Sequence, residues 1–570
     1  MRPAGRGELE SLYFDYPEYP FRAPAELGGA SPRHPVIIAG AGPVGLTAAL
    51  ALAQLGVASV VVDRKNTVND GSRAICISRY SFETLQQLGV VARFEAKGLG
   101  WTSGRCYFRD QLIYQFSMPH SADERFLPMY NLQQQYIEQY LIDAAADCPG
   151  LIDIRWLSEV TAVTQDEAGV ELGIATPQGN YPLRGQYLLA ADGARSEVRN
   201  LLGLRLNGRN LPGNYVIADI RMEHDFPTER RSFFESSANP EATILIHRQP
   251  DNIWRVDWQL PAGADPEEAV AENTVRDRVA AILAMIGHRG DWELEWWSIY
   301  TANTLCLDDY RHGRVLFIGD SGHIVPIFGV RGLNNGIADA ANAAWKLAYT
   351  LQHGAAEGLL DSFTPERRGA TLDVFRNAGK SSRFMTPPTR GYSLMRKAVL
   401  ELALSEKFVR PFADPRQVQP WIYDDSPLTS TASQGEVFPA GPPPGAPLQN
   451  TRLGERDFLL DYIGPGFTLL YFAGNADLDA AAANLLPTLR KVDPRLRVLV
   501  VGEAGSDPIA GDESIADPGR HLADCYGAGP GTLYLVRPDR HIAGRWRHLE
   551  ESTVTAALHR ALGDPHERDA

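Results

Sequence analysis

Three separated stretches of this chain carry glycines, carboxylates and arginines in orders suited to binding phosphate and moving charge. The first is Gly40-Ala41-Gly42-Pro43-Val44-Gly45, which follows an apolar run and opens a run of helix formers. Gly40 permits a tight turn, Gly42 lets a pyrophosphate approach the backbone, and Gly45 lets the helix lie close on its sheet. The start of that helix offers free N–H groups and the positive end of its dipole to phosphates. Asp63 closes the next strand, where a carboxylate accepts hydrogen bonds from ribose hydroxyls, and Arg64 follows it. The second stretch runs from Tyr187 through Asp192-Gly193 and Arg195 to Arg199, and the third from Gly313 through Gly319-Asp320 and His323 to Pro326. The third continues to Gly332-Leu333-Asn334-Asn335-Gly336. The glycine turn between strand and helix, with its placed acid, predicts a dinucleotide site; an Asp-Gly or Gly-Asp step alone is only a turn, but the three motifs in this order are hard to explain as chance.

These residues need a scaffold, and the residue pattern supplies one. From Pro35 it reads strand, helix, strand: PVIIA, a helix to about Gln54 stopped by Gly56, then ASVVV. Mixed signals continue to about Gly203. Short β-branched and aromatic runs such as NYVIADIRM, ATILIHR and NIWRVDWQL then predict an antiparallel sheet over 205–305. The strand RVLFIG and an Ala-rich helix over about 334–353 follow. GEVFPAGPPPGAPLQN (435–450) sustains neither periodicity and reads as a linker. Beyond it come FTLLYF, a helix around 477–490, LRVLVV, a short helix near 520, a hairpin around RPDR, and a helix at 551–562. The expected class is α/β. Its expected division is an extension (1–33), a nucleotide-binding domain in two parts (34–204 and 306–365), an inserted substrate-binding sheet (205–305), a helical region (366–434), the linker, and a C-terminal domain (451–570).

Bulk properties narrow the partners. A formal net charge of −15 is at odds with a nucleic-acid ligand, which calls for a basic face. The five cysteines (Cys76, Cys106, Cys148, Cys306 and Cys525) form no CxxC pair and have no metal-ligand spacing, which predicts no metal and fits a reducing cytoplasm. The first residues lack the basic-then-apolar order of a signal peptide. Val36–Val62 is apolar, but Gly40, Gly42, Pro43, Gly45 and Gly56 break it, so no membrane span is expected.

Taken together, the three motifs resemble those of the group A flavoprotein aromatic hydroxylases, the para-hydroxybenzoate hydroxylase-like monooxygenases. The resemblance implies FAD in the single GxGxxG site, contacted by Gly40, Gly42, Pro43, Gly45, Asp63 and Arg64, with NAD(P)H as a co-substrate that has no domain of its own. Arg73, in SRAICISRYSFETL, matches the family's Arg-Ala element near FAD, and Gln134 its flavin-contacting Gln at a helix start. Asp320 matches the acid that holds the ribityl chain, and Asp192 the motif shared by FAD and NAD(P)H. Gly332, Leu333 and Asn334 match the turn near flavin N1, where backbone N–H groups at a helix start would stabilise the anionic reduced flavin. Pro326 is kept, and the family places its carbonyl near the reacting phenol. The family's Pro-Pro-x-Gly-Gly-Gln-Gly-Met-Asn is here Pro326-Ile327-Phe328-Gly329-Val330-Arg331-Gly332-Leu333-Asn334. Arg331 thus adds a cation that either serves substrate or flavin or lies solvated on the rim.

The block after about 440 resembles the thioredoxin-like domain of phenol hydroxylase and hydroxyphenylpropionate hydroxylase-like members. Leu535-Val536-Arg537-Pro538-Asp539 and MTPPTRG (385–391) support that subgroup. Ala473-Gly474-Asn475-Ala476-Asp477 stands where a redox thioredoxin carries CxxC. Cys525 is the block's single cysteine, so a two-cysteine cycle within it is excluded, leaving packing or an oligomer contact.

The activity implied is hydroxylation of a small phenolic aromatic by a single-component monooxygenase. NAD(P)H reduces the flavin, dioxygen forms a C4a-hydroperoxide, and its distal oxygen attacks the ring; a phenolate is the better nucleophile. A homodimer in the cytoplasm is expected. A dry, largely apolar pocket would protect the peroxide. Substrate-facing candidates are Tyr215, Phe234, His247, Trp254, Asp257, Trp258 and Tyr300, with Tyr215, His247, Asp257 and Pro326 as catalytic candidates. Sheet aromatics are more often core. His247 beside Arg248 invites a base or anion-binding reading, and His323 reads as ordering its loop. The halogenase motif Trp-x-Trp-x-Ile-Pro is missing; Trp296-Trp297-Ser298-Ile299-Tyr300 lacks its proline. Epoxidation or Baeyer–Villiger-type oxygenation on the same scaffold stays open, as does a non-catalytic flavoprotein module.

Overall fold

A computed structural model describes residues 9–564 apart from 262, 327–328, 414–419, 431–436, 475 and 503–512. Five parallel strands lie side by side in the order Ile152–Arg155, Ser59–Val62, Arg33–Ala39, Gly179–Ala190, Val315–Phe317. Val36–Ala39 and Ser59–Val62 are buried along their length, as strands covered by helices on both faces must be. The helix Pro43–Gln54 and the long helix Gly332–His353 pack against each other over this sheet. Chain order reverses at Arg33–Ala39, and the crevice outside the carboxyl ends of such strands is where α/β sheets bind ligands.

The second sheet has eight strands: His323–Ile324, Trp292–Cys306, Asn207–Met222, Ile253–Gln259, Asn239–Arg248, Arg230–Ser236, Ser103–Phe108 and Gln111–Ser117. It therefore recruits strands from well before residue 205, and Arg230–Ser236 pairs with Ser103–Phe108 in parallel. Within 205–305 every strand pairing is antiparallel, as expected; the sheet extends beyond that range through Ser103–Phe108 and Gln111–Ser117. Alternation gives this sheet two unlike faces. One carries Val216, Ile220, Ile244, Ile246, Trp254, Val256 and Trp258 against the helix Glu272–Met285. The other turns toward the nucleotide-binding sheet.

The aromatic N-terminal segment packs on the body, with Tyr19 stacked on Trp156 at 4.6 Å. Helices Phe363–Met385 and Arg390–Ala403 follow the long helix. A five-stranded sheet completes the fold, ordered Glu513–Ala516, Arg497–Gly502, Thr468–Phe472, Leu533–Val536, Ile542–Trp546, the first three parallel and the last three antiparallel. Its hairpin turn is buried against the rest of the protein at Arg537, Asp539, Arg540 and His541. Among the described residues no helix is long and apolar enough to cross a membrane, and no His/Cys/Asp/Glu cluster could hold a metal.

Candidate flavin and substrate site

The glycine turn separates what the protein needs from what a ligand needs. Gly40 has φ +109°, and a Cβ there would lie 2.5 Å from the Ala191 carbonyl oxygen. A Cβ on Gly45 would lie 2.0 Å from the Gly40 carbonyl oxygen. Both positions are closed by backbone. Gly42 differs: a Cβ there meets nothing within 4 Å, and as N-cap of the helix it offers no side chain to the free N–H groups. That open space at a helix N-terminus, with Pro43 as the first helical residue, suits a pyrophosphate. Asp63 accepts from Ala41 N at 2.8 Å and Lys65 N at 2.9 Å, so its carboxylate also fixes the turn. Arg64 is exposed and Asp63 half-buried.

The other cofactor candidates converge from distant segments. Gln134 opens the helix Gln134–Ala146; its Oε1 accepts from Ala74 N at 3.1 Å and its Nε2 donates to Glu138, so it clamps the segment that carries Arg73. Arg73 is exposed and close enough to Asp320 to favour that residue's charged form. Burial nonetheless dominates and raises the pKa of Asp320, against the pull of His323 and Arg73. Asp192 accepts from Val198 N at 3.0 Å through Oδ2, while its Oδ1 is buried with no partner. An unpartnered buried carboxylate oxygen, a second carboxylate beside an arginine, and an open glycine are donors and acceptors that a dinucleotide with ribityl hydroxyls would satisfy.

The long helix begins at Gly332 with no side-chain cap, leaving its first-turn N–H groups to whatever lies before them. Asn334 contributes backbone only, because its side chain is spent within the protein. It accepts from Ser78 N at 2.8 Å and Ser81 Oγ at 2.7 Å and donates to the Cys76 and Val330 carbonyls. Val330 sits at φ +61°, an uncommon place for a β-branched residue. Arg331 is buried with Nε unpartnered, which removes the solvated-rim reading. Pro326 is buried, and the carbonyl of Val325 before it accepts from Tyr300 OH at 2.9 Å. Ile327 and Phe328 lie outside the described residues.

The sheet face opposite the tryptophan core holds the polar groups. Arg230, His247 and Asp257 are 3%, 4% and 7% exposed. Arg230 stands across from His247, and His247 across from Arg255, in the strand register. Arg230 Nε and Nη1, His247 Nδ1 and Asp257 Oδ1 all lack a hydrogen-bond partner. Such groups are costly to bury unmet. Burial pushes Asp257 up to about 7, against the pull of Arg255. Burial also holds His247 well below the ordinary imidazole value, and Arg230 and Arg255 reinforce it. Arg255 is fully used, paired with Asp219 and donating to the Ser72 and Arg73 carbonyls. Cys76, whose carbonyl is held by Asn334, feels Arg230, Arg255 and Asp257 through space, so this face adjoins the start of the long helix.

Several sequence expectations change here. Trp254 and Trp258 belong to the core on the other face. Tyr215 and Phe234 lie on the same face as Asp257 and His247, packed with Leu245 and Met385, and Tyr215 OH meets Thr386 Oγ1 at 2.5 Å. Arg248 points away from His247, with its guanidinium over Trp254; the cations facing His247 are Arg230 and Arg255. This face thus carries charged and polar side chains between its apolar ones. Arg230 escaped sequence reading because it adjoins Arg231, which pairs with Glu229 on the other side of the strand. Strand alternation was the available signal.

The chain is similar in sequence and fold to known proteins. The FAD binding domain family matches residues 33–378. The 6-methylpretetramide 4-monooxygenase of Streptomyces rimosus is 30% identical over 559 residues, 92% of each chain. The 3-(3-hydroxy-phenyl)propionate/3-hydroxycinnamic acid hydroxylase of Mycolicibacterium smegmatis is 25% identical over 525 residues, 89% of this chain and 90% of that one. In fold, the flavin-dependent monooxygenase PieE, solved with FAD and substrate, superposes with a TM-score of 0.75 at 24% identity, covering 94% of this chain and 100% of its own.

Proposed function

This chain belongs to the FAD binding domain family and is an FAD-dependent flavoprotein oxidoreductase, and from that premise we propose that it hydroxylates a phenolic aromatic compound. The overall reaction takes ArH, NAD(P)H, a proton and O2 to ArOH, NAD(P)+ and water. Bound FAD supplies the two-electron acceptance from NAD(P)H and the activation of dioxygen. The glycine turn, Asp63, Asp192, Asp320 and the first turn of Gly332–His353 would hold it. The relatives named for hydroxylating 3-(3-hydroxy-phenyl)propionate and 6-methylpretetramide support an aromatic substrate.

One observation supports the chemistry of this chain's own residues: Arg230, His247 and Asp257, each buried with an unpartnered polar atom, lie on a single sheet face. In this reading Asp257 accepts the phenolic proton and Arg230 receives the phenolate oxygen. Neutral His247 orients the same oxygen. A buried carboxylate with a pKa near the working pH is suited to that transfer. Besides burial, Arg255 and Arg230 favour its charged form and Asp219 opposes it.

Asp257 is a base only when ionised, so kcat/KM should rise with pH through about 7. Asp257→Asn should lower kcat/KM by about 10²–10⁴-fold and abolish that limb. An Asp257→Asn variant that retains the limb would remove Asp257 from the chemistry. We further read the C-terminal sheet and its helices as a thioredoxin-like domain without thiol function, supported by the parallel-then-antiparallel strand order.

A further inference from the structure

A buried ionic lattice joins the C-terminal hairpin to the helices behind the flavin site. Arg537 donates to both oxygens of Glu366, at 2.6 and 3.0 Å, and to Asp539 at 3.0 and 2.7 Å. Lys346 Nζ donates to the same Glu366 at 2.7 Å, and Asn342 bridges Glu366 and Asp539 at 2.8 Å each. Arg367, next to Glu366 on the helix Phe363–Met385, donates to Asp339 at 2.7 Å and to the side chain and carbonyl of Asn335. Asp339 in turn accepts from Gly319 N at 3.0 Å and pairs with His323 Nε2 at 2.7 Å. Asn335 lies in the first turn of the long helix, and Gly319 precedes Asp320. Tyr423 ties the two halves, accepting from Arg367 at 2.9 Å while stacked on His541 of the hairpin.

Three cations (Arg537, Lys346 and Arg367) thus meet three carboxylates (Glu366, Asp539 and Asp339), none more than 4% exposed. Burial opposes the ionisation of Glu366, yet Arg537 and Lys346 hold its carboxyl well below the usual range. Burial similarly lowers Lys346 to about 8, against the attraction of Glu366. Well-packed apolar residues would serve stability as well as such a lattice or better, so its distinctive property is directional: it fixes positions. What it fixes is the Gly319–Asp320 turn and the start of the helix Gly332–His353.

We infer that Arg537 is a positioning residue for the flavin site, acting through Glu366, Arg367 and Asp339 on the two turns that flank the cofactor. This rests on the flavin-facing assignment of those turns. It gives the C-terminal domain a role that needs no cysteine: its hairpin is a buttress, set in cis against the cofactor site.

The test uses the full chain, reconstituted with FAD, and reads FAD dissociation and the absorption spectrum of bound flavin. Neither needs a substrate, so failure here is separable from failure of the hydroxylase reading. Arg537→Met should weaken FAD binding by about tenfold, within the range of remote coupling, and shift the flavin bands. Arg537→Lys, which keeps the charge but loses the fork, should recover part of both effects. Val554→Ala, a core change in the C-terminal helix Glu551–Ala561 away from the lattice, should lower the melting temperature while leaving FAD affinity and spectrum as in the wild type. Arg537 variants with wild-type affinity and spectrum would overturn the inference, as would equal loosening by Val554→Ala. Should Arg537→Met fail to fold, Arg537→Lys and Glu366→Gln provide the same readout.

Discussion

Glu366→Ala is expected to destabilise the protein by about 3–5 kcal/mol, the cost of breaking a buried ion pair from one side. Glu366 is the only carboxylate that meets both Arg537 and Lys346 in direct hydrogen bonds among the described residues, and Ser426 also donates to it at 2.5 Å. Its removal would leave Lys346 without an anionic partner in a site that solvent does not reach. Urea unfolding of the full chain would read the loss as a lower midpoint. A Glu366→Ala midpoint equal to the wild type's would show that the lattice contributes nothing. Because the folded-state pKa of Glu366 is depressed, its contribution is complete above the ordinary carboxylate range and disappears only as pH falls toward the folded value. The lattice should therefore persist at mildly acid pH.

Gly45→Val should abolish useful FAD binding, with affinity reduced by about 100-fold or more, equivalent to roughly 2.7 kcal/mol. The new Cβ would occupy a point 2.0 Å from the Gly40 carbonyl oxygen, so the turn must open before the side chain fits. Gly42→Ala makes the informative contrast. Its φ of −80° is ordinary for alanine, and the Cβ meets no protein atom within 4 Å. The apoprotein should be as stable as the wild type or slightly more so, while FAD binding weakens because the methyl enters the space assigned to the pyrophosphate. Equilibrium titration of the apoproteins with FAD, alongside thermal unfolding without it, separates the two effects. A Gly42→Ala protein with unchanged FAD affinity would move the pyrophosphate elsewhere.

The part of the site proposed to hold the cofactor carries local signals in the sequence. A glycine turn between strand and helix, and an acid closing the next strand, identify themselves within a few dozen residues. The face proposed to meet substrate is built from cross-strand neighbours, and there adjacency in sequence misleads. His247 and Arg248 are consecutive but face opposite sides of the sheet, whereas Arg230 becomes the neighbour of His247 only through strand register. The partner of Tyr215, Thr386, is likewise 171 residues away in sequence. The Arg537-Pro538-Asp539 segment stood out as a subgroup motif, yet its role depends on Glu366, also 171 residues distant. Burial of charge is set by such long-range pairings, which composition and periodicity do not contain.

The most direct test supplies the FAD-loaded protein with NAD(P)H and isotopically labelled dioxygen, together with hydroxylated benzoates, phenylpropionates and polyketide phenols. NAD(P)H oxidation and the mass of each aromatic product are followed. The expected result is that at least one phenol accelerates NAD(P)H oxidation and gains one labelled oxygen atom. If no member of the panel accelerates oxidation, or if every electron pair ends in hydrogen peroxide with the aromatics unchanged, the protein is not a phenol hydroxylase.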